Sequence, residues 1–231
     1  MTPLRRTLFA VAALLVLSTW SVPARAQCCV ASSGCFCDLG NGTIKDTCTG
    51  RQWEKKTTAV GSGVNPADRH DVDNLYSWAG RCTVGGALCQ PNFAALLSCL
   101  AHSDGTGCGT CVSGTCNVDP FGLGAITTVW DWLNGVNAAN FAGHNDWRLP
   151  SEGGHNSPAT GSNELETILL APYPCGTTPC INSLFGPTAS YWYWSASTKA
   201  PTPVTAWFVY FGNGFVGYDF KTYHYYVRAV R

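Results

Sequence analysis

Cysteine constrains this chain more than any other residue type. There are 13, at positions 28, 29, 35, 37, 48, 82, 89, 99, 108, 111, 116, 175 and 180. They follow a leader in which Arg5 and Arg6 precede an apolar run from Leu8 to Leu17 and then Ala24-Arg25-Ala26. That order is the pattern of a secretory signal with a small-x-small cleavage site. The apolar run is too short to span a bilayer, and no later stretch is apolar enough to do so. Gln27 stands before Cys28 where a lipid-modified protein carries a small residue. The expectation is therefore an exported product, periplasmic, extracellular or on the cell surface, that does not span the membrane. In such a compartment a cysteine-rich chain is stapled by disulfides.

The cysteines fall into three groups: five before residue 50, six from Cys82 to Cys116, and Cys175 with Cys180, close enough to pair locally. Cys82, Cys89, Cys99, Cys108, Cys111 and Cys116 can close among themselves, whereas the first five leave one over. An odd thiol implies a free cysteine or a covalent partner. Zinc at Cys35 and Cys37 or at Cys108 and Cys111 lacks a second pair at the required spacing, so no metal is expected. Removing residues 1–26 leaves 11 basic against 14 acidic residues, a net of −3, which does not favour nucleic acid. The 205 residues that remain suffice for one domain. Residues 27–37 form a Cys-rich N-terminal segment and residues 38–231 a single domain with a Cys-rich insertion at about 82–116.

Along that domain, residues 38–56 predict a hairpin around Asn41-Gly42 with a further turn at Thr49-Gly50. Asp38, Asn41 and Asp46, and likewise Asp68, Asp71 and Asp73, lack the ladder of a calcium loop. The first group reads as a turn and the second as a solvated loop, so calcium is conceivable but unsupported and no cofactor is expected. Inside the insertion, Asn92 can cap a short helix with Phe93, Leu96, Leu97 and Leu100 on one face. Gln90-Pro91-Asn92 imitates a lectin calcium triplet, with no Trp-Asn-Asp partner downstream. The clearest helix starts at Thr128 with Asp131 three residues on. It carries the stripe Val129, Trp132, Leu133 and Val136, and Gly143 is its expected stop. Asn163 with Glu166 predicts a second short helix over 164–170. The C-terminal part reads as antiparallel strands at 191–195, 206–211, 215–220 and 223–231, turned at Asn213-Gly214. The fold class is α+β: two short helices packed on a twisted antiparallel sheet, loop-rich and disulfide-stapled.

Between the two helices lies Asn145-Asp146-Trp147-Arg148-Leu149-Pro150. An indole too large to leave in water, a guanidinium that needs a partner and a proline that enforces extension make this a structural corner. Trp147 is expected to be buried and Arg148 to be held by Glu164.

These segments resemble a known family. Asp38-Leu-Gly-Asn-Gly-Thr-Ile-Lys-Asp46, Thr49-Gly50 through Trp53-Glu54-Lys55-Lys56, Asn145 to Pro150, Glu164-Leu165, Trp194-Ser195, Trp207 with Gly212 and Gly214, and Val227-Arg228-Ala-Val-Arg231 are similar, in order, to the motifs of the Lcl C-terminal domain family. That bacterial extracellular domain is named for a collagen-like adhesin. The resemblance implies a C-type-lectin-like fold, related in shape to the formylglycine-generating enzyme. The adhesin's domain is associated with sulfated glycans and trimerisation, but this chain has no Gly-X-Y run. Ala229 stands where many relatives carry cysteine, so the family's C-terminal disulfide is not expected.

The function expected is a secreted ligand-recognition module that binds glycans or another surface polymer and acts in adhesion. Trp192, Trp194, Trp207 and Tyr218 are its candidate stacking groups, and Lys221 with Arg51, Lys55 and Lys56 a candidate sulfate patch. Core packing competes for each indole. A structural or assembly component of the cell surface, using a spare cysteine, is the alternative. An oxidase like the formylglycine generator ranks below both, since Cys175 and Cys180 alone could serve it. The scattered histidines assemble no catalytic set, and no catalytic residue is expected.

Overall fold

The computed structural model describes residues 34–78, 82–84, 87–89, 128–154, 163–202 and 204–231. The leader, the predicted helix near Asn92, the triplet 90–92, Cys28, Cys29, Cys99, Cys108, Cys111 and Cys116 lie outside these residues.

The first sheet is an antiparallel meander of β1 (Phe36–Asp38), β2 (Thr43–Asp46) and β3 (Gln52–Glu54). Its first turn uses Gly42 at φ 85°, where an added Cβ would lie 3.2 Å from the Phe141 ring, so both backbone and packing select glycine. The second turn is built by Asp46, whose Oδ1 accepts from the N–H groups of Cys48 and Thr49, and a Cys35–Cys48 disulfide closes it. Cys37 is also disulfide-bonded.

Residues 57–74 form a loop that differs from the solvated acidic loop expected. Asp71 and Asp73 are buried because their carboxylates organise it. Asp73 accepts from the N–H groups of Gly61 and Gly63, both at 2.9 Å, and Asp71 accepts from Asp73 N–H and Thr58 Oγ1. The loop leads to β4 (Tyr76–Ser77). Within the Cys-rich insertion, β5 (Cys82–Val84) and β6 (Ala87–Cys89) pair antiparallel with Cys82 opposite Cys89.

Helix α1 (Val129–Ala138) begins as the cap pattern predicts: Thr128 Oγ1 accepts from the Asp131 N–H at 3.1 Å. Val129, Trp132, Leu133 and Val136 are its buried face. It stops five residues before Gly143, at Ala138, because Asn140 takes left-handed angles and Asn137 turns its side chain to the corner, bonding both N–H and C=O of Trp147. The second predicted helix is absent: Leu165–Ile168 make a single 3-10 turn and Leu169 is already extended. Thr167 and Ile168 are β-branched, Thr167 Oγ1 bonds back to Glu164 O, and Leu169 bridges to Ile181.

A three-stranded antiparallel sheet, β7 (Trp192–Thr198), β8 (Thr205–Tyr210) and β9 (Phe215–Phe220), divides the core. Strand alternation puts Trp194, Ala206 and Phe208 on one face, against α1, Trp78, Trp147 and Tyr225. Tyr193 and Val209 on the other face pack with Ile44, Trp53, Leu165 and Phe185. Both clusters are built around large aromatic side chains, each worth several kcal/mol of burial.

The C-terminal segment departs from the alternating half-buried strand expected over 223–231. Only β10 (His224–Tyr225) pairs regularly, with β4. The residues after it thread the centre of the molecule: Tyr226 bonds the backbone at Trp192 and Trp194, Ala229 and Arg231 bond β3, and Val230 bonds Arg148. Val227, Arg228, Ala229 and Val230 are all fully buried, so alternation no longer separates inside from outside. The architecture is α+β and sheet-rich, with one α-helix and small antiparallel sheets among the described residues.

Candidate functional site

The corner at residues 145–150 comes first, because its geometry fixes the loop that follows. Trp147 is buried, with its Nε1 donating to Phe141 O. Arg148 grips Glu164 bidentately, Nη1 to Oε2 at 2.6 Å and Nη2 to Oε1 at 2.7 Å. Arg51 Nε reaches the same Oε1, and Ser151 donates its N–H and hydroxyl to Oε2. Burial opposes the charge on Glu164, but Arg148 and the Ser151 donors overcome it and hold its carboxyl at about 2. Asp146, on the exposed rim, pairs with Arg231, and Pro150 O accepts from the Ala196 N–H. With every donor and acceptor of Glu164 engaged, this network anchors the loop 150–154 to β7.

That loop lies over one end of the β7–β9 sheet. The expected stacking groups divide here. Trp207 and Tyr218 face each other across β8 and β9 in register, with ring centroids 5.5 Å apart and planes at 81°. Trp207 is half-buried, Tyr218 is 48% exposed, and Lys199 Nζ sits 3.3 Å from the Tyr218 ring centroid. Trp192 is half-buried too, but it lies on the opposite face against Tyr225. Trp194 is fully buried with Nε1 donating to Tyr76 O, so it offers no face to a ligand. Lys221 is likewise fully buried, donating to Thr198 Oγ1 and lying 3.7 Å from the Trp78 ring centroid. The sulfate patch therefore dissolves. Lys56 is buried against Glu54, Lys55 pairs with Asp38, and Arg51 serves Glu164.

Beside Trp207 the structure adds a carboxylate, Glu152, to which the sequence pattern assigned no role, and it brings Asn163 and Glu166 from the expected helix start to its side. Glu152 is fully buried and its Oε1 accepts from the N–H groups of Gly153 (2.9 Å) and Gly154 (3.2 Å). Gly154, at φ 103°, leaves room for the Trp207 ring, which would lie 3.2 Å from an added Cβ. Asn163 Nδ2 donates to Gly154 O and to Glu166 Oε1; the expected cap is thus a side-chain bridge. Burial, reinforced by Glu166 and only partly offset by the two glycine N–H groups, pushes the Glu152 carboxyl up to about 8. The signal available in the sequence was Glu-Gly-Gly after the corner, a carboxylate followed by two residues that can fold their N–H groups back onto it.

Cys35, Asp46 and Cys48 place ligand atoms within 4.8 Å of one another, but the two sulfurs are joined and Asp46 is engaged in its turn. Cys175 and Cys180 form a disulfide. No helix among the described residues is long and apolar enough to cross a membrane.

No curated protein and no solved structure matches the chain. The model of one family, the Lcl C-terminal domain, matches residues 42–231, from the first β-turn through the buried Val227-Arg228-Ala229-Val230 segment at the centre of the fold. The chain belongs to the Lcl C-terminal domain family.

Proposed function

We propose that this protein is an exported recognition module that binds a glycan through the Trp207–Tyr218 face, on a scaffold of C-type-lectin-like shape. The observation that carries the reading is the pairing of an accessible indole and an accessible phenol across β8 and β9, beside a loop anchored by Arg148–Glu164. Sugar rings present apolar C–H faces and hydroxyls, and aromatic side chains with polar handles suit both. Disulfides and the signal-like leader support export.

The ligand favoured is a neutral glycan rather than a sulfated one. Of the four cations expected to meet sulfate, two are buried and two are paired, which leaves Lys199 as the cation at this face. A glycan array at low and high salt tests this. Binding to neutral sugars that persists at high salt is expected. Binding confined to sulfated sugars and lost with salt, or no binding at all, overturns it.

A further inference from the structure

We infer that Glu152, Asn163 and Glu166 form a binding site for a hard divalent cation, calcium by its donor set, next to the Trp207 ring. Two buried oxygens there have no hydrogen-bond partner among the described residues. Glu152 is fully buried, yet only Oε1 has donors; Oε2 has none. Asn163 Oδ1 is buried and has none either, although its Nδ2 makes two hydrogen bonds. A buried carboxylate oxygen left without a partner costs far more than an exposed one. Protonating Glu152 does not cure the problem, since the added hydroxyl finds no acceptor.

The two orphaned oxygens belong to one linked set. Glu152 Oε1 accepts from the Gly154 N–H, and Asn163 Nδ2 donates to the Gly154 carbonyl. The same Asn163 nitrogen holds Glu166 Oε1 at 3.0 Å. One residue thus ties two unsatisfied acceptors together, and a second carboxylate stands beside them. The three residues offer oxygens, from two carboxylates and an amide. That chemistry selects calcium over zinc or copper, and water completes the six to eight ligands it takes. Glu152 and Glu166 supply the two negative charges that balance the ion. The acidic groups of the first turn and of the 57–74 loop do not compete, because their carboxylates are consumed by backbone N–H groups.

The site stands independently of whether Trp207 and Tyr218 stack on sugar, so it is tested without any glycan. The disulfide-bonded protein is stripped with EDTA and titrated with Ca²⁺ by calorimetry, and its thermal midpoint is recorded with and without Ca²⁺. One ion per chain and a rise in midpoint are expected. Glu152→Gln, which keeps the shape and removes the charge, and Glu166→Gln are each expected to weaken binding by roughly tenfold or more and to shrink the Ca²⁺-induced rise. Asp46→Asn keeps both. No Ca²⁺ binding by the unsubstituted protein overturns the proposal. So does binding that Glu152→Gln and Glu166→Gln leave intact while their folds are retained.

Discussion

Glu54→Gln is expected to remove about 3–5 kcal/mol of stability, the cost of breaking a buried ion pair from one side. Glu54 is fully buried on β3, where Oε1 accepts from Lys56 Nζ at 2.8 Å and faces His70 Nδ1 at 2.7 Å, and Oε2 accepts from the Ala229 N–H. Its own backbone carbonyl accepts from Arg228. Burial works against the charge, but the Lys56 ammonium and His70 overcome it and hold the carboxyl at about 2 instead of the ordinary 4.5. A folded-state value below the unfolded one means that this stabilisation is complete above pH 4.5. It is lost as pH falls from there toward about 2. Urea denaturation followed by tryptophan fluorescence, from pH 7 down to pH 2, measures both effects. Glu54→Gln should be less stable at pH 7 and lose part of the acid-dependent slope, the rest persisting through Glu164. A change below about 1 kcal/mol at pH 7 would show that Lys56 and Arg228 are held without it.

The second large effect separates the indoles. Trp194→Ala is expected to cost about 3–5 kcal/mol, as a large buried aromatic removed from a packed core. Trp194 is inaccessible, stacks near Tyr225 at 4.5 Å between centroids, and holds the Tyr76 carbonyl. Trp207→Ala, on the half-exposed end of the sheet, should cost about 1 kcal/mol or less. Chemical denaturation of the two variants side by side decides it. Equal costs, or the reverse order, would mean that the division of these side chains into core and surface is mistaken.

These two residues also mark where the sequence stops being readable. Local signals carried well. Thr128 with Asp131 starts α1 and its apolar stripe is the buried face, while Asn41-Gly42 and Asn213-Gly214 turn strands, because turn and cap chemistry acts within a few residues. The Arg148–Glu164 pairing followed from the demand of a guanidinium for a carboxylate in a corner between two elements. Burial of charge was not legible. Glu54, Lys56, Lys221 and Arg228 look like surface residues in the sequence and lie in the core. Lys56 and Glu54 pair two residues apart, but what covers and completes that pair is distant, with Arg228 lying 174 residues from Glu54. The C-terminal strand misled for the same reason, since period-2 alternation assumes one wet face and this segment has none. Trp194 and Trp207 are indistinguishable by composition and differ only in which half of which sheet face a neighbouring segment covers. For Glu152 the only hint was the Gly153-Gly154 pair that follows it, because its environment is created by the fold of those two residues around it.

Calorimetric titration of the neutral sugar that binds best on the array tests the proposal that the Trp207–Tyr218 face is the recognition surface. The unsubstituted protein is compared with Trp207→Ala and Trp192→Ala. Trp207→Ala is expected to weaken binding about tenfold or more, equivalent to about 1.4 kcal/mol. Trp192→Ala, on the opposite face of the sheet, should leave the affinity unchanged. Full affinity in Trp207→Ala, or loss of binding in Trp192→Ala alone, would contradict it.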